Sequence, residues 1–405
     1  MKTVAIITEY NPFHYGHLYQ LEQIKEAFGE DTRIISIMSG NFTQRGEIAI
    51  ANKSTRAEAA VDSGVDLVLE LPFPYSSSSA ELFAFGGVSI ANALSIVDYL
   101  AFGSECADIE TLKKHADILS SGEFSSELKM LNECADYKEL GYPALCELAY
   151  KNVAGSCPAD LLSPNNILGV EYIKALRKAE SKIEPITFKR AYSDYNDKEL
   201  IGGRIQSATA IRSTIYSSID QALEYLPEPS RAVYRRAIEK GDMPTIPEEL
   251  DKIIISHLRL NPPEKMENIH DVDGGLYNRL HKLSFEANSI SALMQLAETK
   301  KYTKARIRRA IWNSYFGVTS SVIHSAPSYT QVLGMNDTGR KMLKEIKTKS
   351  GFAVITKPSS YTELDGEVIR QKELSDKADS IFALAHKKAI SGRFSLRLTP
   401  YVKKG

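Results

Sequence analysis

Apolar runs of strand length alternate with amphipathic stretches along the first third of the chain. Residues 3–7 form such a run, and helical spacing follows, beginning near His17 and ending at Phe28. Residues 33–38 are a second apolar run, ending in Ser39-Gly40-Asn41, and helical spacing returns over 54–63. Residues 66–71 are a third run, stopped by Pro72 and Pro74; a helix is predicted over 80–93, and a fourth strand over 98–103. This βαβα rhythm predicts the α/β class and a Rossmann-like, doubly wound parallel sheet. Ligands bind such sheets beyond the carboxyl ends of the strands.

The pattern then changes. Residues 107–180 read as mainly helical around a loop at 155–166, 183–191 as a strand, and 207–217 as the start of a helix. Helical spacing dominates from 218 to about 315. Residues 322–333 read as loop, 351–355 and 361–369 as short strands, and 374–391 as a late helix. Pro227, Pro229, Pro244 and Pro247 cluster in between. The expected division is a catalytic domain over 1–217 and a mainly helical C-terminal domain over 218–405.

Charge sharpens this division. The formal net charge is −1, yet residues 301–405 carry 20 Lys plus Arg against 8 Asp plus Glu, while 1–300 carry 30 against 43. A basic tail on an acidic body points to a polyanionic partner, nucleic acid above all. Cys106, Cys134, Cys146 and Cys157 lack CxxC spacing, so neither a disulfide framework nor a zinc site is expected. No signal peptide, membrane span or protein partner is indicated, and a cytoplasmic location is expected.

The chemistry concentrates in His14-Tyr15-Gly16-His17, between the first strand and the first helix. Imidazoles three apart share one face of a helical turn. The helix N-terminus adds unpaired N–H groups and partial positive charge. Such a site suits the α-phosphate of a nucleotide, with the imidazoles donating to phosphoryl charge. Gly16 would let adenine approach the backbone. A second motif, Ser207-Ala208-Thr209-Ala210-Ile211-Arg212, places hydroxyls at a helix start and a guanidinium fork one turn on. That is a β- or γ-phosphate site, or else a plain N-cap with a surface arginine. No dedicated carboxylate cage for a metal is visible, so magnesium is expected only in company with ATP.

These motifs resemble the HIGH-motif nucleotidylyltransferase superfamily, and the N-terminal detail resembles the tRNA(Met) cytidine acetate ligase family. The resemblance rests on Thr8 to His17, on Ser39-Gly40-Asn41-Phe42-Thr43-Gln44-Arg45-Gly46, on Lys53, Arg56 and Glu58, on Phe102-Gly103-Ser104-Glu105, and on Ser163 to Gly169. It covers essentially the whole chain. It implies that ATP and acetate give acetyl-adenylate and pyrophosphate. The acetyl group then passes to N4 of the wobble cytidine of elongator tRNA(Met), without acetyl-coenzyme A. It also implies that residues 7–20 hold ATP: Ile7, Thr8, Glu9, Tyr10, Asn11, Pro12, Phe13, His14, Tyr15, Gly16, His17, Leu18, Tyr19 and Gln20. Gly103, Asn165 or Asn166, and Arg190 would contact it too, beside Ser207, Thr209 and Arg212. His14 and His17 are the expected catalytic pair. Asn41 and Lys53, in a loop on the ligand edge, are candidates for the acetyl end or the cytidine.

Residues 300–312 are the densest basic stretch, with Ile307, Ala310 and Ile311 as an apolar stripe and the cations expected outward toward tRNA phosphates. Lys341, Lys344, Lys347 and Lys349 would extend that surface. Tyr10, Phe13 and Tyr15 either stack a base or pack the loop. Two other readings compete: adenylyl transfer to a nicotinate- or pantetheine-type phosphate, whose enzymes lack the long basic extension, and a non-catalytic RNA-binding protein.

Overall fold

Alternate residues of each N-terminal strand enter opposite cores. Ala5, Ile35, Ile37, Leu67 and Leu69 join one, whereas Val4, Ile6, Ile34 and Val68 join the other. Both faces of the sheet are therefore covered, as a doubly wound sheet requires. The computed structural model describes residues 1–137, 140–190, 205–357, 364–388 and 390–404. Its strands are β1 Thr3–Thr8, β2 Arg33–Ser39, β3 Leu67–Leu71, β4 Tyr99–Ser104, β5 Glu184–Lys189, β6 Tyr329–Met335, β7 Ala353–Ile355 and β8 Tyr401–Val402. They are ordered β5-β4-β1-β2-β3-β6-β7, with β8 also paired to β6.

The first five strands are parallel. Their order reverses at β1, so the crevice beyond β1 and β4 is the switch point where ligands bind. Helices α1 Tyr15–Phe28 and α2 Lys53–Asp62 cover one face, together with Ala208–Ser217 and Glu228–Lys240. Helix α3 Ala80–Ala93 covers the other, with Ile109–Leu119 and Pro164–Lys178. Between β5 and β6 the chain makes a helical body that includes Asp251–Leu260, Leu276–Ser284, Ile290–Ala297 and Lys304–Phe316. Four rings seat this body on the sheet: Phe42 lies 5.0 Å from Trp312, 5.7 Å from Phe316 and 5.5 Å from Phe73, and Phe73 lies 5.0 Å from Phe316.

Several expectations need correction. Residues 322–333 are not simply loop: β6 lies there and pairs antiparallel with β3, Leu67 opposite Met335. It carries no alternating signal because both of its faces are buried, and Thr330 and Gln331 interrupt its apolar run. The sheet thus crosses the boundary expected at 217/218, since β6, β7 and β8 come from the C-terminal part. Residues 366–369 are helix, within Gly366–Phe382, and a short 3-10 turn, Ala383–Ala385, follows. Residues 361–363, also expected in a strand, lie outside the described residues.

The basic surface is redrawn as well. In the Lys304–Phe316 helix, Arg306 and Arg309 pair with Asp271 at 3.2 and 2.9 Å, and Arg308 pairs with Glu47 at 3.0 Å. These arginines are turned inward, and Lys300 and Lys304 remain exposed. The Asp337–Lys349 helix does not extend this surface. Glu345 pairs with Arg33 at the start of β2, and Asn336 donates to Asp66 just before β3. That helix lies at the amino ends of the strands, the edge opposite the switch point.

Candidate active site

β1 delivers the motif loop to the carboxyl edge. Tyr10 adopts a left-handed φ of 46° and is fully buried, packing 4.8 Å from Phe13 and 4.9 Å from His17. Phe13 is anchored through its backbone, its N–H donating to Tyr234 Oη at 3.1 Å and its carbonyl accepting from Ser230 Oγ at 2.8 Å. Tyr10 and Phe13 therefore pack the loop.

The two histidines fix each other. His14 is the N-cap of α1, and its Nδ1 accepts the Gly16 N–H at 3.0 Å. His17 Nδ1 accepts the His14 N–H at 3.2 Å, and the rings lie 4.0 Å apart. An imidazole whose Nδ1 accepts an N–H carries its proton on Nε2 when neutral. Neutral they are: burial, then the charges of Arg190 and Arg212, push His14 down to about 3. Burial, then His14 and Arg190, holds His17 well below its ordinary value. The motif thus presents two neutral Nε2–H donors. Gly16 has a task beyond the expected one, since a Cβ there would lie 2.8 Å from His14 Cε1.

Cationic and hydroxyl groups surround the pair. Ser207 caps the Ala208–Ser217 helix, its Oγ accepting the Ala210 N–H at 3.0 Å. Arg212 donates to the Asn11 carbonyl at 3.0 Å and to Thr209 Oγ1 at 3.3 Å, and pairs with Glu47 at 3.2 Å. Arg190 follows β5 and donates to Asn165 Oδ1. A Cβ on residue 103 would lie 2.9 Å from Arg190 Cγ, so Gly103 makes room for that side chain. Asn165 Nδ2 in turn donates to Glu105 at 2.6 Å.

These groups line one cleft at the switch point. Of the expected residues it brings together Ile7, Thr8, Glu9, Tyr10, Asn11, His14, Gly16, His17, Tyr19, Gln20, Gly103, Asn165, Arg190, Ser207, Thr209 and Arg212. Pro12, Phe13, Tyr15 and Leu18 are not in its lining. Nor is Asn166, whose Oδ1 instead accepts the Glu105 N–H at 2.9 Å. Sequence reasoning missed Phe83, Tyr172, Phe188, Lys189 and Ile205, and did not assign Leu168, Ala208, Gln44 or Phe102, which lie in its motifs, to this wall. Phe102 and Phe188 were findable, because each stands near the carboxyl end of its strand.

Asn41 and Lys53 lie elsewhere. Both are buried outside the cleft wall, in an ionic knot behind the loop that follows β2. Lys53 Nζ lies 2.6 Å from Glu70 and 2.7 Å from Asp379, and Asn41 Nδ2 donates to Asp379 at 2.7 Å. Burial opposes the Lys53 charge, but the Asp379 and Glu70 carboxylates outweigh it and raise its pKa. Arg56, fully buried beside them, donates to the carbonyls of Glu9, Ala51, Ser39 and Gly40.

The arrangement matches known proteins along its length. The HIGH Nucleotidyl Transferase family profile matches residues 1–394. The tRNA(Met) cytidine acetate ligase of Acetivibrio thermocellus is 39% identical over 401 residues, covering 96% of both chains. That of Caldicellulosiruptor saccharolyticus is 40% identical over 393 residues, covering 96% of this chain and 95% of the relative. The chain belongs to the tRNA(Met) cytidine acetate ligase family. The crystal structure of Thermotoga maritima TmcAL bound with alpha-thio ATP superposes at a TM-score of 0.91, with 32% identity and full coverage of both chains. The apo form of that protein superposes at 0.93. The family assignment agrees with the cleft: paired histidines, a capped helix start and two arginines meet at the switch point. No helix among the described residues is long and apolar enough to cross a membrane.

Proposed function

We propose that this protein is an ATP-dependent acetate ligase. It forms acetyl-adenylate and pyrophosphate, then transfers the acetyl group to N4 of the wobble cytidine of elongator tRNA(Met), giving N4-acetylcytidine. The observation that carries this reading is the pair of neutral Nε2–H imidazoles set beside Arg190 and Arg212. An acetate oxygen attacks the α-phosphorus, and the bond to the β-phosphate oxygen breaks. Negative charge grows on the phosphoryl oxygens and the leaving pyrophosphate. His14 and His17 donate to the former, and Arg212, Thr209 and the helix start at Ser207 hold the latter. The donors are fixed before reaction by backbone hydrogen bonds, so little reorganisation is needed.

ATP supplies the activation, so acetyl-coenzyme A has no part. Among the described residues, no three His, Cys, Asp or Glu side chains converge on a metal position. Magnesium would be held by phosphate oxygens and water, and would supply charge neutralisation there. The substrates place the reaction in the cytoplasm. The exposed Lys300 and Lys304 support tRNA backbone contact.

The decisive experiment incubates the protein with ATP, labelled acetate and elongator tRNA(Met). Acetate-dependent pyrophosphate release with label in the RNA is expected. Absence of both would overturn the reading. Release dependent on nicotinate mononucleotide or phosphopantetheine would install small-molecule adenylyl transfer instead.

A further inference from the structure

The cleft is chemically two-ended. His14, His17, Ser207 and Arg212 sit on or beside elements of one sheet face, and they gather the cations and hydroxyls. Phe83, Leu168 and Tyr172 come from helices of the other face, with Phe102 from β4. Glu9 and Gln44 close the cleft between the ends of β1 and β2.

Glu9 is out of place in a triphosphate site, because a carboxylate repels phosphate oxygens. It is nevertheless held firmly. Its Oε1 accepts the Gln44 N–H at 2.8 Å, and its carbonyl accepts from the buried Arg56 at 2.6 Å. Its Oε2 has no hydrogen-bond partner among the described residues. Aromatic groups share the cleft lining with it: Phe83, Phe102 and Tyr172, the last two with rings 5.4 Å apart. Burial, and after it the Glu9 charge, keeps the Tyr172 hydroxyl protonated, and both residues line the cleft. A carboxylate with a free oxygen against flat apolar walls matches a base that presents an exocyclic amine.

We propose that Glu9, Gln44, Phe83 and Tyr172 form the acceptor end of the cleft, which receives the cytosine base, and that Glu9 takes the proton of its attacking amine. This rests on the acetyl-transfer reading above. It gives Glu9, one of the residues implied to hold ATP, a task toward the other substrate. The unstacked base enters with its amine at Glu9 Oε2. The amine nitrogen bonds to the acetyl carbonyl carbon, and the bond from that carbon to the adenylate oxygen breaks. AMP leaves with the electron pair. The surplus amine proton passes to Glu9 and then to water. Gln44 fixes Glu9 through its backbone and is a positioning residue.

The test separates the half-reactions. Acetate-dependent exchange of labelled pyrophosphate into ATP reports adenylate formation. Single-turnover transfer from acetyl-adenylate formed on the enzyme reports the second step. Glu9→Gln is expected to slow transfer about 100-fold more than it slows exchange, in the range of a lost general base. Glu9→Asp should recover part of the rate. Equal losses in both half-reactions would overturn the proposal, as would exchange in Glu9→Gln restored by excess magnesium, which would make Glu9 part of the ATP site. Phe83→Ala is the independent check: it should raise the KM for tRNA, and an unchanged KM counts against the acceptor end. Wild-type protein that fails to exchange pyrophosphate with acetate would instead sink the acetyl-transfer reading itself.

Discussion

The two histidines behave as one unit. Each ring accepts a backbone N–H through Nδ1, so truncating either removes a donor and loosens the cap of α1. His14→Ala and His17→Ala are each expected to lower acetate-dependent pyrophosphate exchange by about 10²–10³-fold, the loss typical of one oxyanion donor. Filter binding should show tRNA affinity within about threefold of wild type, because the phosphate contacts that dominate such affinity lie elsewhere. Burial with Arg190 and Arg212 holds His14 at about 3, so it stays neutral through the working range. Its ionisation should add no limb to the exchange rate between about pH 5 and 8. The sign for stability follows. Below about pH 6.5 the unfolded chain protonates this histidine while the folded chain does not, so folding weakens as pH falls. His14→Asn should flatten the denaturant midpoint between pH 6 and 4.

At the scale of elements, the Gly366–Phe382 helix is sewn to α2 and β3 by charge. Asp379 meets both Lys53 and Asn41, and Glu70 completes the knot. Removing one partner strands a buried ion, which costs about 3–5 kcal/mol. Lys53→Met should lower unfolding free energy by that amount in urea titrations, because Glu70 and Asp379 would then stay buried without their shared cation. The Lys304–Phe316 helix is expected to divide its cations. Arg309→Ala should destabilise, since Arg309 is mostly buried against Asp271. Lys300→Ala with Lys304→Ala should leave the melting temperature alone and flatten the salt dependence of tRNA binding by about one unit per lost phosphate contact. Much of this lay beyond the sequence. The runs behind β1 to β4 announce themselves because they are apolar and short, and His14-Tyr15-Gly16-His17 is legible through its place between a strand and a helix. Lys53 and Asp379 stand 326 residues apart, and no local pattern pairs them. The same distance effect hid Tyr172 and Phe83, which look like ordinary core residues until α3 and the Pro164–Lys178 helix bring them to one wall.

For the whole molecule, the unit of folding is larger than the N-terminal sheet. Chain cut after residue 217 would lack β6, leaving the buried edge of β3 open, and would lack Asp379, leaving Lys53 with Glu70 alone. Circular dichroism of residues 1–217 should show no cooperative melt, while the full chain melts as one transition. The antiparallel place of β6 has a further consequence, in time. Thr330 Oγ1 donates to the Glu70 carbonyl across 260 residues of intervening chain. At a synthesis rate of about 5–20 residues per second, β3 waits on the order of 10–50 s for its neighbour to leave the ribosome. Through that interval a strand of Leu67-Val68-Leu69 has one unpaired side, the kind of edge that recruits other chains. Nascent chains stalled before residue 329 should therefore be marked clients of holding chaperones, and release should come abruptly once β6 emerges.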